Sequence, residues 1–235
     1  MSRSIDVCLS PELIYQHDLG GKTAVVVDVF RATSCMVAGL AHGVKTIRPV
    51  LEVEECRQWQ SKGYLAGGER HAQKIDGFDL DNPPFSYMSE AAKGQKIAMT
   101  TTNGTLAINR AKETAAEVLV ASFSNLKATA EYLMGQEKDV IIICAGWKGR
   151  PGLEDILFAG ALVKALAQTH ENLEDSTHLA LASYEASEAN VLAYLQRASH
   201  LKRLKTLGGK DIPFCLIKDQ FDVVVHLVDN ELFLK

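Results

Sequence analysis

TAVVVDVFRATS, residues 23–34, reads as a buried strand running straight into a polar turn. Val25, Val26, Val27 and Val29 are β-branched and follow one another almost without a polar break. That is the pattern of a central strand covered on both faces, rather than the alternation of a half-exposed one. Asp28 interrupts the run near its end, and Arg31, Thr33 and Ser34 stand in the turn beyond it. Thr33 or Ser34 would cap a helix that runs to Gly43. Strand, polar turn and capped helix in succession make the first half of a βαβ unit.

The same rhythm continues along the chain. Apolar runs at 44–50, 96–101, 117–121 and 139–144 predict further central strands, besides 23–29. Helical spacing predicts helices over 52–62, 103–112, 153–168 and, capped by Ser124 and closed by Gly135, over the segment between them. From about Glu171 the pattern weakens into polar residues, then a long helix over 183–200 and a β-like stretch over 223–228. With no internal repeat and no linker, the expectation is one α/β domain over residues 1–235. Its centre is a largely parallel sheet whose strands are covered on both faces.

Composition narrows the function classes. With 235 residues, 47% hydrophobic and 23% charged, the chain has enough apolar material for a sizeable core. A formal charge of −4 offers no broad positive field for nucleic acid or anionic membrane. No apolar stretch approaches a membrane span, and residues 1–11 lack the basic and apolar regions of a secretory leader, so the expected location is the cytoplasm. Five scattered cysteines in mostly apolar surroundings agree with a reducing compartment. Oligomeric state, a homo-oligomer included, is left open.

In an open parallel sheet, ligands bind beyond the carboxyl ends of the strands, so the strand exits are where chemistry is expected. The first exit offers Asp28, able to hold a hard cation, and Arg31, able to grip an anion with two donors. The second, GGERHAQKIDGFDLDNPP at 67–84, is a long loop in which Glu69 and Arg70 follow paired glycines that would let a ligand approach the backbone. His71, beside them, is expected to be a loop residue. In the third, MTTTNGT at 99–105, the hydroxyls of Thr101, Thr102 and Thr105 and the helix start at Asn103 and Gly104 suit a phosphate or sulfonate. The fourth, at 141–160, contributes Lys148 and Arg150 for anions, then Glu154 and Asp155, readable either as metal ligands or as first-turn acids that complement the helix dipole.

Taken together, DVFRATS at 28–34, GGER at 67–70, GFDLDNPP at 77–84, TTTNGT at 100–105, CAGWKGRPGLEDILFAG at 144–160 and DIPFC at 211–215 resemble the 2-phosphosulfolactate phosphatase family, also called the ComB family. The resemblance implies Mg²⁺-dependent hydrolysis of 2-phospho-3-sulfolactate to 3-sulfolactate and phosphate, in coenzyme M and sulfolactate metabolism, on a three-layer α/β/α fold. On this reading Asp28 and Glu69 are catalytic, and Asp28, Glu154 and Asp155 hold the metal. Arg31, Thr33, Arg70, Asn82, Lys148, Arg150 and the segment Thr101–Thr105 bind substrate. The turn Asp81, Asn82, Pro83, Pro84 departs from the Gly-Asn-Ser-Pro-like turn of the family pattern.

Three other readings compete. Cys144 and Arg150 form a C-x5-R spacing between strand and helix, as in cysteine-dependent phosphatases, although Pro151 and Gly152 delay the helix that would complete the phosphate loop. Asp28 could serve as an aspartyl nucleophile of the haloacid dehalogenase kind, but Phe30 stands where a second Asp is needed. The groups could also bind a phosphorylated or sulfonated metabolite without turning it over.

Overall fold

The computed structural model describes residues 3–70, 73–172 and 174–235. His71 therefore lies outside the described residues. The strands are β1 (Arg3–Cys8), β2 (Thr23–Val27), β3 (Thr46–Pro49), β4 (Leu65–Arg70), β5 (Gln73–Lys74), β6 (Lys96–Thr100), β7 (Glu117–Ala121), β8 (Val140–Cys144), β9 (His170–Asn172), β10 (Val225–Val228) and β11 (Glu231–Leu234). The helices are α1 (Ala32–Ala41), α2 (Val53–Gln60), α3 (Pro84–Tyr87), α4 (Gly104–Ala111), α5 (Leu126–Met134), α6 (Leu153–Leu166), α7 (Asp175–Ser187), α8 (Val191–Leu195), α9 (Ser199–Thr206) and α10 (Ile212–Cys215).

All the strands belong to one sheet of order β5-β4-β6-β3-β11-β10-β7-β2-β8-β1-β9. Side-chain alternation assigns the layers. Val25, Val27, Leu119 and Ile142 point to one face and pack with α5, α6 and α7. Val26, Val120, Ile143, Ile97 and Met99 point to the other and enclose α1 and α4. Ala98 and Ala66 join Cys56 of α2 on the first face. The expected three-layer α/β/α arrangement is the one observed. All five β2 residues are buried, each Val side chain contributing about 1.5–3 kcal/mol by leaving water.

One feature was not legible in the strand pattern. The parallel blocks β4-β6-β3 and β7-β2-β8-β1-β9 are joined through the hairpin β10–β11, which pairs antiparallel within itself and with β7 on one side and β3 on the other. Three antiparallel steps reverse direction, so the blocks run in opposite senses. Five strand-to-strand steps separate β2 from β6, and at roughly 20–25° of twist each the blocks become steeply crossed. Their carboxyl ends meet beside α1 and α4: a Cβ built on Gly104, after β6, would lie 2.8 Å from Asp28 Oδ2, after β2.

Several local expectations change. The helix expected over 183–200 is broken into α7, α8 and α9, with Asn190 accepting the Ala193 N–H at a fresh N-cap. Thr33 and Ser34 are not caps, because α1 begins before them. The Thr33 hydroxyl instead accepts the Asp28 N–H and donates to the Asp28 carbonyl, while Ser34 donates to the Val29 carbonyl. The GGER segment lies within β4 rather than in a loop. Its glycines admit the protein's own atoms, not a ligand: a Cβ on Gly67 would stand 2.6 Å from the Tyr87 hydroxyl, and one on Gly68 1.9 Å from the Thr100 carbonyl oxygen.

Remote from the strand exits, Asp6 of β1 meets His17 at 2.6 Å. That hydrogen bond is the main cause of a His17 pKa raised to about 10. A raised folded-state value means that the pair's stabilisation is complete below about 6.5 and fades as pH rises through 10. His17→Asn should therefore lower Tm at pH 6, with the deficit shrinking toward pH 10. A deficit independent of pH would contradict this assignment.

Candidate active site

The chain places Asp28 just past β2, where its carboxylate is buried beside the start of α1 and accepts the Ala32 N–H. Burial, helped by Glu154 and Glu69, lifts its pKa to about 7 against the opposing pull of His200. Asp155, in the first turn of α6, accepts the Val29 N–H at 2.8 Å and the Gly146 N–H at 2.9 Å. It thus clasps the exits of β2 and β8 together, a role that neither first-turn dipole pairing nor metal binding anticipated. Burial first, then the neighbouring Glu154 and Asp28, push its pKa well above the usual carboxylate range.

Glu154 meets the His200 ring at Nδ1, 2.5 Å away, and its second oxygen is buried without a hydrogen-bond partner. His200 also stacks on Trp147, with ring centroids 5.2 Å apart and planes inclined by 11°. The Lys148 ammonium sits 4.9 Å from the centre of the same Trp147 ring. Glu69 leaves β4 on the side opposite to Arg70, as strand alternation requires, and its Oε1 accepts both the N–H and the hydroxyl of Thr102.

Of these, Asp28, Glu69, Trp147, Lys148 and His200 line one cavity of about 100 Å³, whereas the expected metal ligands Glu154 and Asp155 do not: Glu154 sits behind its wall against His200, and Asp155 is turned to the Val29 and Gly146 N–H groups. Asp28, Arg31, Glu69, Asn82, Thr101, Thr102, Asn103 and Lys148 of the expected set contribute to its wall. The others do not. Thr33 is fully buried and occupied by Asp28, and Arg70 turns away to the Leu51 carbonyl and Thr100 hydroxyl. Thr105 interlocks with Thr101 through reciprocal backbone-to-hydroxyl bonds, so its N–H is taken. Gly104 packs on Asp28 and Ala32, where a Cβ would collide with both. Arg150 is exposed and lines no part of this cavity.

Sequence reasoning missed His200, Arg203 and Leu204 of α9, which line the same wall. They fell inside or after a stretch read as one long helix, and a lone His without ligand spacing carries no signal. It also missed the partner of Arg31. Nη1 of Arg31 makes both its bonds to Asp211, at 3.0 and 2.8 Å, from a residue 180 positions away.

The cysteine reading does not fit. Cys144 is fully buried at the end of β8, and burial together with Asp155 raises its pKa well above the usual thiol range, which suppresses the thiolate. Cys144→Ser should retain kcat within about threefold, whereas loss of a covalent nucleophile costs roughly a thousandfold or more. A loss of that size in a folded variant would restore the cysteine mechanism.

For Mg²⁺ the fit is of a particular kind. Among the described residues no three His, Cys, Asp or Glu side chains converge into a complete ligand cage. Mg²⁺, however, is commonly held by one or two carboxylates, with waters and substrate oxygens completing its shell. Asp28, buried within electrostatic reach of Glu154 and Glu69, and the unpartnered Glu154 oxygen are the carboxylate groups that such an ion would use.

An α/β scaffold that gathers buried carboxylates and several cations around one small cavity at its strand ends defines a protein that handles anions, the class that includes phosphoryl-transfer and phosphate-ester enzymes. The chain belongs to the 2-phosphosulpholactate phosphatase family, whose model matches residues 8–230. It is 43% identical to the probable 2-phosphosulfolactate phosphatase of Thermotoga petrophila over 91% of this chain and 92% of that one. The protein of that description from Caldanaerobacter subterraneus subsp. tengcongensis is 40% identical, covering 91% of each chain, and one from Clostridium perfringens 38%, covering 97% of this chain and 95% of its own. No helix among the described residues is long and apolar enough to cross a membrane.

Proposed function

We propose that this protein is a Mg²⁺-dependent phosphatase that hydrolyses 2-phospho-3-sulfolactate, or a closely similar small phosphorylated acid, to the 2-hydroxy acid and phosphate. The observation that carries the reading is the single cavity at which Asp28 and Glu69 face Arg31, Lys148 and Arg203. Its acids suit a hard cation and its guanidinium and ammonium groups suit an anionic ester. Names carried by relatives 43% and 40% identical agree with the substrate.

In this reading Asp28 and the free oxygen of Glu154 hold the cation, with Asp155 securing the loops around them. When bound, Mg²⁺ supplies neutralisation of charge on the phosphoryl oxygens and acidification of nearby water. Arg31, Lys148 and Arg203 bind the anionic oxygens, and Glu69 takes a proton from the attacking water. The water oxygen forms a bond to phosphorus as the ester P–O bond breaks, and the departing oxygen leaves as the alcohol after gaining a proton. The Trp147–His200 stack walls the cavity on the side of α9 and limits solvent entry.

A phosphate-release assay over small phosphorylated acids, with and without Mg²⁺, tests the proposal. EDTA should abolish turnover and Mg²⁺ should restore it. Full activity in metal-free buffer would remove the metal from the scheme, and tight binding without phosphate release would leave a binding protein.

A further inference from the structure

Arg31 stands at a wall shared by two cavities. Together with Glu69 and Asn82 it lines both the small cavity at Asp28 and an adjoining one of about 310 Å³. The second is bounded by the β5 residue Lys74, by the turn at Asp81 and Asn82, and by the segment from Leu207 to Asp211.

Its charges divide into engaged and unengaged groups. The acids are engaged: Asp81 accepts the Ser86 hydroxyl, Glu69 accepts from Thr102, and Asp211 holds Arg31. The cations are largely free. Lys210 has no ion-pair partner among the described residues, and the Lys74 ammonium donates only to the Asp79 carbonyl. Arg31 is more than nine-tenths buried, yet it meets Asp211 through Nη1 alone, and its Nε is buried without a partner. A buried guanidinium edge left unsatisfied is costly unless a ligand completes it. An anion entering from the second cavity would find two ammonium groups beside the Arg31 guanidinium.

We propose that this second cavity is the subsite for the non-reacting acid group of the substrate, the carboxylate or sulfonate next to the phosphorylated carbon. Lys74 and Lys210 recognise it, and Asp211 is the positioning residue that fixes Arg31 between the two anionic ends. The inference rests on the phosphatase reading and adds to it the reason for preferring phosphorylated acids over other phosphate esters. A substrate with charged groups at both ends spans the shared wall, while a plain phosphomonoester engages the first cavity only.

The test compares the full-length enzyme with Lys74→Ala, Lys210→Ala and the double variant, all at exposed positions where folding is little affected. Each is assayed with 2-phosphosulfolactate and with phenyl phosphate, which has no second charged group. The ratio of kcat/KM between the two substrates should fall about tenfold or more in the double variant, chiefly through KM for the acid. Inorganic phosphate as a competitive inhibitor reads the first cavity alone, and its Ki should move far less than KM for the acid. Asp211→Asn should raise KM for the acid and Ki for phosphate together, because Arg31 serves both ends. An unchanged substrate ratio, or an equal loss on both substrates, overturns the subsite. Wild-type protein that releases phosphate from neither ester defeats the phosphatase reading instead, so the two failures are distinct.

Discussion

Asp28→Asn should lower kcat by roughly a thousandfold or more, with excess Mg²⁺ recovering only part of the loss. The amide keeps the shape of the side chain and can still accept the Ala32 N–H, so the change removes little except the charge. Stability should move the other way. Because burial raises the folded-state pKa of Asp28 to about 7, ionising this group costs the metal-free fold. Its stabilising contribution is complete below about 3.8 and is lost as pH climbs through 7. In metal-free buffer at pH 8, Asp28→Asn should therefore melt above the wild type while being nearly inactive, the trade-off expected where a site is held at the expense of stability. Thermal melts and phosphate release on the same preparations check both halves. A lowered Tm with wild-type kinetics would make Asp28 a loop cap and sink the proposed site.

Gly68→Ala should have the largest effect on the fold. The added Cβ would lie 1.9 Å from the Thr100 carbonyl oxygen and 2.9 Å from its carbon, both backbone atoms of the paired strand β6. Gly68 also sits at φ +139°, where side-chain-bearing residues are strained. Strain and overpacking each cost about 1–3 kcal/mol, and together they remove much of the 5–15 kcal/mol by which such a domain is stable. The variant should show a markedly lower denaturant midpoint and poor soluble yield. A wild-type midpoint would mean that β4 and β6 do not approach this closely, and Glu69, the next residue, would then have to sit elsewhere.

What the sequence announced depended on how local the cause was. The β2 strand and its Asp28 were legible because a Val run broken by a single acid marks a covered strand that ends in a polar site, and β7 falls on 117–121 as expected. Contributions made by distant chain segments were not legible. Nothing near Arg31 names Asp211 as its partner, and nothing near Glu154 names His200. Glycine pairs mark close approach, but residue type alone could not say whether a ligand or the Thr100 backbone does the approaching. Thr33 and Thr105 show the same limit: a hydroxyl at a strand exit looks available until the backbone group it already serves is known. The reversal between the two blocks was hidden for a related reason, since β10 and β11 are short and only partly apolar and acquire their importance from where they pair.

That placement governs the order in which the molecule can be built. Residues 225–234 form the two strands that stand between β3 and β7, so until they have emerged from the ribosome the sheet exists as two separate rafts, each with an unpaired edge. Thr101 and Glu69 ride on one raft and Asp28 on the other. The pocket cannot close before this hairpin has been made, and its assembly depends on contacts spanning more than 180 residues, the slow and entropically demanding kind. The naked edges of β3 and β7 are meanwhile sites for pairing with the wrong chain. The β10–β11 hairpin thus acts as a keystone: chemistry and protection from aggregation arrive in the same event.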